Sequence, residues 1–379
     1  MALHPNPLSK VFLTGVIESR PDHQAWRAYY KGLSLFTPDE VAGYKLAWDV
    51  VMSENNLAGI YAINGRPIPG SEMLFAERFQ EVKNVMSSRV IHPSDVMILR
   101  EPGTPAVGTQ SWNMKAEAQK KLVKNVNACD DEVDAQVEYL CMGALQGQIV
   151  WPPVAADGTA IAVPMPQWGN VQLTINFPIR TVFNQDATTL VGYSARNGTQ
   201  VLWTDYVNSD PLFDLEVISE LISETLGIDA HGSRILMGHS LLSHLCFNES
   251  IISWIKGTEA GVKMVDVSEL QNFVQTRLGY TIEEYNARWT YRTGSDAQAG
   301  PTVNSVPFMN GMRMIIIPPN TDLGYYAMAP SPDGLYKPGK YNWMAQDQEP
   351  PWETRVGEGL VGFPVFQRAD QVFIFDANS

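Results

Sequence analysis

A chain of 379 residues with 45% apolar side chains and ten tryptophans is long enough to bury more than one core, so two or more lobes are expected. Charged residues make up only 18% and the formal net charge is −14, which excludes a protein that grips nucleic acid through a basic face and leaves part of the surface free for contact with other subunits. There is no basic start followed by an apolar run, no apolar stretch long enough to span a bilayer, and no repeat with a solenoid period.

Residues 1–43 are mixed and proline-bearing, with a short helix expected over Asp22–Tyr30, and are read as an arm. Residues 44–110 favour strands, at Leu46–Met52, Gly59–Ile63 and Val96–Leu99. Asn64-Gly65 is a tight-turn signal because both residues tolerate positive φ. The segment has little continuous apolar content, so it is expected to protrude as a β loop.

Ser111 can cap the helix that follows. Leu122, Val126, Cys129, Val133, Val137, Leu140 and Ala144 step by three and four and predict one buried stripe. Lys115, Lys120, Lys121 and Lys124 precede Asp130, Asp131, Glu132 and Asp134. This order opposes the helix dipole, so it reads as a solvated face or a contact to partners. Residues Asn64, Gly65, Arg66, Lys120, Lys124 and Asp131 are the assembly candidates.

Gln148–Trp151, Ala160–Val163 and Val171–Phe177 read as strands, with a turn at Asp157-Gly158. Asp210-Pro211 opens a helix with the stripe Leu212, Leu215, Ile218, Ile222 and Leu226, which Gly227 can end. Arg234–Met237 predicts a buried strand, with a helix from Ser240. Another helix, Val267–Leu278, ends at Gly279. Tyr280–Ile282 and Met314–Ile317 are strands. Gly362–Phe366 and Gln371–Phe375 are strands that must complete an earlier sheet, since too few residues remain for another domain.

Candidate chemistry is thin. Met237-Gly238-His239-Ser240 follows a strand and opens a helix, where a nucleophile elbow would sit. Leu242 occupies the position that needs glycine, and the acid and histidine expected downstream are missing. Ser240 is better read as a helix cap. Gly357-Glu358-Gly359-Leu360-Val361-Gly362 matches the dinucleotide fingerprint, yet no βαβ unit can follow it. Those glycines are expected at a turn between strands. The six histidines and three cysteines offer no zinc spacing, and the cysteines are expected as buried free thiols. No cofactor is expected, and no enzyme activity.

The order of features resembles one family. It begins with an arm and a β-rich loop. A long helix then runs into Ala144-Leu145-Gln146-Gly147 and Ile149-Val150-Trp151-Pro152-Pro153. Trp203 leads to Asp210-Pro211-Leu212-Phe213-Asp214-Leu215, then Arg234-Ile235-Leu236-Met237-Gly238. The Asn248 helix follows, and the chain closes on Pro364-Val365-Phe366 and Asp370-Gln371-Val372. This is similar to the lambda-like major capsid protein E family of tailed phages. The resemblance implies an α+β Hong Kong 97-type capsid fold with N-terminal arm, extended β loop, long spine helix, and peripheral and axial domains. It places the arm at 1–43, the extended loop at 44–110, and the spine helix with the first part of the peripheral domain at 111–203. The axial domain falls at 204–323 and the returning peripheral strands at 324–379.

The implied function is an icosahedral shell of hexamers and pentamers around double-stranded DNA, part of the virion and assembled in the host cytoplasm. DNA would be enclosed without sequence-specific binding, and no membrane is involved. A long charged helical scaffold segment is absent from the N-terminal region, so a separate scaffold protein is expected, with a portal and a decoration protein as further partners. An encapsulin-like nanocompartment shell is the alternative, and a serine hydrolase using Ser240 the remaining one.

Overall fold

The computed structural model describes residues 29–51, 75–91, 114–151, 173–186, 190, 201–257, 263–293, 302–319, 321–331, 336–346 and 354–377. The expected turn at Asn64-Gly65, the strands at Gly59–Ile63, Val96–Leu99 and Ala160–Val163, and all but the last two residues of the helix at Asp22–Tyr30 lie outside them. The chain forms two compact units. One draws on Met1–Ala47, Phe79–Leu140 and Tyr325–Val365, and the other on Trp48–Arg78, Cys141–Gly324 and Phe366–Ser379.

The first unit is built on the helix Met114–Leu145, 32 residues long. Its predicted stripe is fully realised: Leu122, Val126, Cys129, Val133, Val137, Leu140 and Ala144 are all at most 3% exposed. Spacing of three and four puts these side chains on one line, and burying that line is what holds so long a helix in place.

The sheet of this unit centres on the 13-residue strand Thr354–Phe366. Lys340–Gln346 and Lys83–Ile91 both pair with it antiparallel, and Gly324–Met328 carries the parallel strand Thr37–Glu40. Lys83–Ile91 falls within the 44–110 stretch that the sequence suggested as a loop, yet it pairs with the central strand from Lys83↔Gly362 to Ile91↔Thr354. Its hidden apolar content is low because only alternate residues turn inward.

The glycine motif lies inside this central strand, not at a turn, which corrects the sequence expectation. The aromatic rings of the neighbouring strand occupy the space over the glycines: a Cβ on Gly357 would meet the Trp343 ring at 2.5 Å and the Ser87 carbonyl oxygen at 2.4 Å, and one on Gly359 would meet the Tyr341 ring at 2.6 Å. Tyr341 reaches across Gly359 to donate a hydrogen bond to Asn84 on the far strand, at 2.8 Å. Gly357→Ala should therefore cost about 1–3 kcal/mol by overpacking, measurable as a lowered midpoint in denaturant. An unchanged midpoint would contradict the packing of Trp343 over the glycine.

The second unit carries a five-stranded sheet in the order Asn184–Asp186, Phe373–Asp376, Arg313–Ile317, Arg234–Gly238, Thr281–Tyr285. Register is fixed at Met314, which faces Phe375 on one side and Met237 on the other. Ile235, Leu236, Met237, Met314, Ile315 and Ile316 are all fully buried, so the middle strands read as continuous apolar runs rather than alternating ones. Phe373–Asp376 sits here, although the resemblance grouped it with 324–379.

Four helices belong to this unit: Pro211–Leu226, His239–Phe247, Glu249–Lys256 and Val267–Leu278. Leu212, Leu215, Ile218, Ile222 and Leu226 are buried as the stripe predicts. Gly227 and Gly279 end two of the helices in the left-handed conformation, at φ 66° and 73°. Two starts differ from expectation. Ser240 is not a cap: Gly238 holds that position and Ser240 is exposed in the first helical turn. Asp210 precedes Pro211 as expected, but its carboxylate accepts from Ser250 at 3.0 Å instead of capping its own helix. The antiparallel pair Arg288–Thr293 and Thr302–Pro307 has no counterpart in the sequence reading.

Candidate functional site

The predicted assembly residues fall unevenly. Asn64, Gly65 and Arg66 lie outside the described residues. Lys120 belongs to the long helix, with its side chain outside the description. Lys124 is exposed and Asp131 half-buried on the same helix. The structure does not bring these two together with a third candidate.

The acidic run has a different role from a solvated face. Asp130 is 3% exposed and Glu138 is 2% exposed. Asp130, Asp134 and Glu138 follow one another at steps of four, one position on from the apolar stripe, so the helix delivers all three to its packed side. Glu138 accepts hydrogen bonds from the backbone N–H groups of Lys31 at 2.9 Å and Gly32 at 2.7 Å, fastening the segment before Thr37–Glu40 to the helix. Lys340, on the strand beside the central one, contacts both Asp130 and Asp134 and lies 3.9 Å from Glu358. Glu132, on the exposed side, meets Ser87 and Arg89 of Lys83–Ile91. The missed signal was that four-residue step, which a count of net charge along the helix does not reveal.

In the second unit, Arg313 grips Asp376 with two hydrogen bonds of 2.7 Å and reaches Gln146 at 3.1 Å. Arg180 pairs with Asp370 at 3.2 Å. These contacts tie the last described residues to segments far away in sequence. Asp214, in the first turn of Pro211–Leu226, accepts from the Trp203 indole at 2.6 Å inside the core. Burial pushes its pKa up to about 7, the indole hydrogen bond offsets part of this, and Asp210 adds to the rise.

The geometry lends the hydrolase reading no support. His239 is turned to Glu284 at 2.6 Å and His244 to the Tyr206 hydroxyl at 2.6 Å. Neither imidazole bonds Ser240. A general base must be within hydrogen-bond reach of its nucleophile. Among the described residues no group of histidine, cysteine and carboxylate side chains is arranged to hold a metal. Cys129, Cys141 and Cys246 are buried free thiols, and burial pushes Cys129 up to about 11, far from a reactive thiolate.

The surface of the second unit carries large apolar groups. Trp254 is 53% exposed, with the Arg277 guanidinium 4.4 Å over its ring. Arg277 is held in turn by Glu216 at 2.8 Å. An exposed tryptophan fixed in this way resembles the anchors found at protein interfaces rather than a solvated side chain.

Residues 13–332 match the family model described as phage major capsid protein E. No curated protein sequence matches the chain. Among solved structures, a prophage protein of E. coli CFT073 described as a capsid protein superposes with a TM-score of 0.59 at 14% identity, over 97% of this chain and 99% of that one. The capsid of cyanophage P-SCSP1u gives 0.41 at 12% identity, over 91% of this chain and 87% of that one. The procapsid of satellite phage P4 with its size determination protein gives 0.41 at 9%, over 93% of this chain and 97% of that one. The first of these shows a shared fold.

Proposed function

The chain belongs to the phage major capsid protein E family and has the Hong Kong 97-type fold, and from that premise we propose how it works as the coat subunit of a tailed-phage head. Copies gather into hexamers and pentamers and close an icosahedral shell around double-stranded DNA. The subunit acts by contact and not by catalysis. A family match that runs through both units is the observation that carries this reading. An encapsulin-like compartment is not favoured by a match to a phage coat family.

In this reading residues 44–110 form the extended loop, with Asn64, Gly65 and Arg66 at its turn. Lys120, Lys124 and Asp131 on the long helix meet neighbouring subunits. The spine helix with the rest of 111–203 and the strands of 324–379 form the peripheral domain, with Phe373–Asp376 given over to the other sheet, and 204–323 the axial domain. The two-unit division supports this grouping for Tyr325–Val365. A separate scaffold protein and a portal act during assembly in the host cytoplasm, and a decoration protein can be added to the finished shell. The end state is the virion.

Negative-stain microscopy of the purified protein tests the proposal. Closed shells or ring-shaped capsomers are expected; a monodisperse monomer at high concentration would overturn it. Deleting Gly59–Ile68 should leave the second unit folded, as circular dichroism would show, while abolishing closed shells. Normal shells from that variant would remove the loop from the assembly role.

The DNA within is expected to be loosely held. A protein that neutralises six to ten phosphates loses about 10³–10⁵ in affinity between 50 and 200 mM salt. This chain has 27 basic residues against 41 acidic ones, too poor a balance for such contacts. Unassembled subunits should show little duplex binding at physiological salt in a gel-shift titration. Tight, steeply salt-dependent binding would contradict the acidic-lining argument.

A further inference from the structure

The helix and the sheet of the first unit meet at a buried charge cluster that has more carboxyls than cations. Asp130 and Asp134 come from the helix, Lys340 from the strand Lys340–Gln346, and Glu358 from the centre of Thr354–Phe366. Glu358 is completely buried and neither of its oxygens receives a hydrogen bond. Its cross-strand neighbours are Asn342 and Ser87, neither of which carries charge. On the Lys83–Ile91 strand, Arg89 is already paired with Glu132. Cys129 faces the cluster from the helix and is itself held neutral by burial.

Three carboxyls therefore gather around one ammonium; Lys340 and Asp134 reach solvent, at 32% and 17% side-chain exposure, whereas Asp130 at 4% and Glu358 at 0% do not. A negative charge on Glu358 would lack both a hydrogen bond and solvent. Asp130 and Asp134 touch the ammonium directly, whereas Glu358 stands farther away at 3.9 Å. Glu358 is accordingly the group that keeps its proton. We propose that the cluster is a proton-held clasp between the long helix and the central strand, closed by one proton on Glu358 and loosened in alkali when that proton leaves.

The electrostatic reading agrees in direction. The Glu358 pKa is raised to about 9, with burial the largest cause and the neighbouring Asp130 carboxyl the next, while Lys340 works the other way. Burial works against the Lys340 charge, but Asp134 and Asp130 outweigh it, so its pKa lies above the usual value. The ammonium thus outlasts the Glu358 proton as pH rises, and the carboxyl is the group that opens the clasp.

The sign follows from linkage. A carboxyl with a raised folded-state pKa contributes stability that is complete below its unfolded value and is lost as pH rises through the folded one. Between pH 7 and 9 the unfolded chain has already released this proton and the folded chain still holds it. The folding constant should then fall up to about tenfold per pH unit from this group alone. Asp214, raised to about 7, still titrates at the lower end of that range but does so equally in wild type and in a variant at Glu358, and the buried Cys129, Tyr139 and Tyr280 titrate above it.

The test compares full-length wild type with Glu358→Gln, which keeps the shape and removes the proton. Denaturant unfolding at fixed protein concentration is followed from pH 7 to 9. Wild type should lose stability steadily across this range, and the variant should lose much less. Parallel losses in the two would overturn the proposal. Infrared spectroscopy supplies an independent readout should the variant fold poorly. Wild type should show a protonated-carboxyl stretch at pH 8.5, where Asp214 is already ionised, that disappears on raising the pH to 10. Absence of that band at pH 8.5 would equally overturn it.

Discussion

Leu140→Ala is expected to destabilise the subunit by about 2–5 kcal/mol, the usual cost of emptying a packed leucine site in a core. Leu140 is 3% exposed and lies on the same line as Val133 and Val137. The loss has two parts. The removed methyl groups no longer leave water on folding, and the cavity strips contacts from neighbours that relax only partly. Lys124→Ala, on the exposed side of the same helix, should change stability by less than about 1 kcal/mol. Denaturant midpoints of the two variants, taken at equal concentration, check the contrast. Equal losses would mean that the stripe does not carry the helix.

Stability should also fall as pH rises from about 4 towards 7, through Asp214. Its carboxyl has a raised folded-state pKa, about 7 against an ordinary 3.8, so its contribution is complete below pH 3.8 and is lost as pH climbs through 7. A shift of this size corresponds to something on the order of 4 kcal/mol across the window. The carboxylate cannot be hydrated where it sits, since Asp214 is 4% exposed and Trp203 is fully buried. Asp214→Asn should keep an acceptor for the Trp203 indole and flatten the profile between pH 4 and 7. Unfolding followed by tryptophan fluorescence is the measurement. A profile as steep in the variant as in wild type would assign the loss to other groups.

What the sequence reveals depends on the range of the interaction. The stripe from Leu122 to Ala144 and the stripe from Leu212 to Leu226 are legible because a helix repeats locally, and every member of both proves buried. The strands Arg234–Gly238 and Arg313–Ile317 are legible as apolar runs. Partners are a different matter. The pairing of Lys83–Ile91 with Thr354–Phe366 spans more than 260 residues and leaves only weak alternation in either segment. The glycines at 357, 359 and 362 suggest a turn when read alone. Their purpose appears only once Trp343, Tyr341 and Tyr326 are known to lie across Gly357, Gly359 and Gly362 in turn.

The assembly candidates show the same divide. Lys124 and Asp131 are conspicuous as charges, but charge alone does not say which face a residue occupies. Asp130 and Asp134 stand in the same run, which reads as a solvated face or a partner contact, and Glu138 lies one step of four beyond it. Their step of four, locked to the apolar stripe, is the feature that distinguishes them. The cap falls at Gly238, two residues before Ser240: a serine before a helical run suggests a cap, whereas Gly238 ends the strand and begins the helix within one residue. The antiparallel pair formed by Arg288–Thr293 and Thr302–Pro307 carries too few apolar residues to declare itself.

The strand Phe373–Asp376 lies between Asn184–Asp186 and Arg313–Ile317 in the second unit's sheet. During synthesis, residue 376 emerges long after its neighbours on either side. At about 5–20 residues per second, the ribosome releases Arg313–Ile317 seconds before the strand that covers its edge. Until then this edge has no native partner, and Phe373 and Phe375 are missing from the core. Completion of the sheet is thus a timing device: a nascent chain cannot present a finished second unit to other copies before Phe373–Asp376 has been translated. A chain shortened before Phe373 should remain permanently in that unfinished state, with an exposed strand edge of the kind that draws molecules into aggregates.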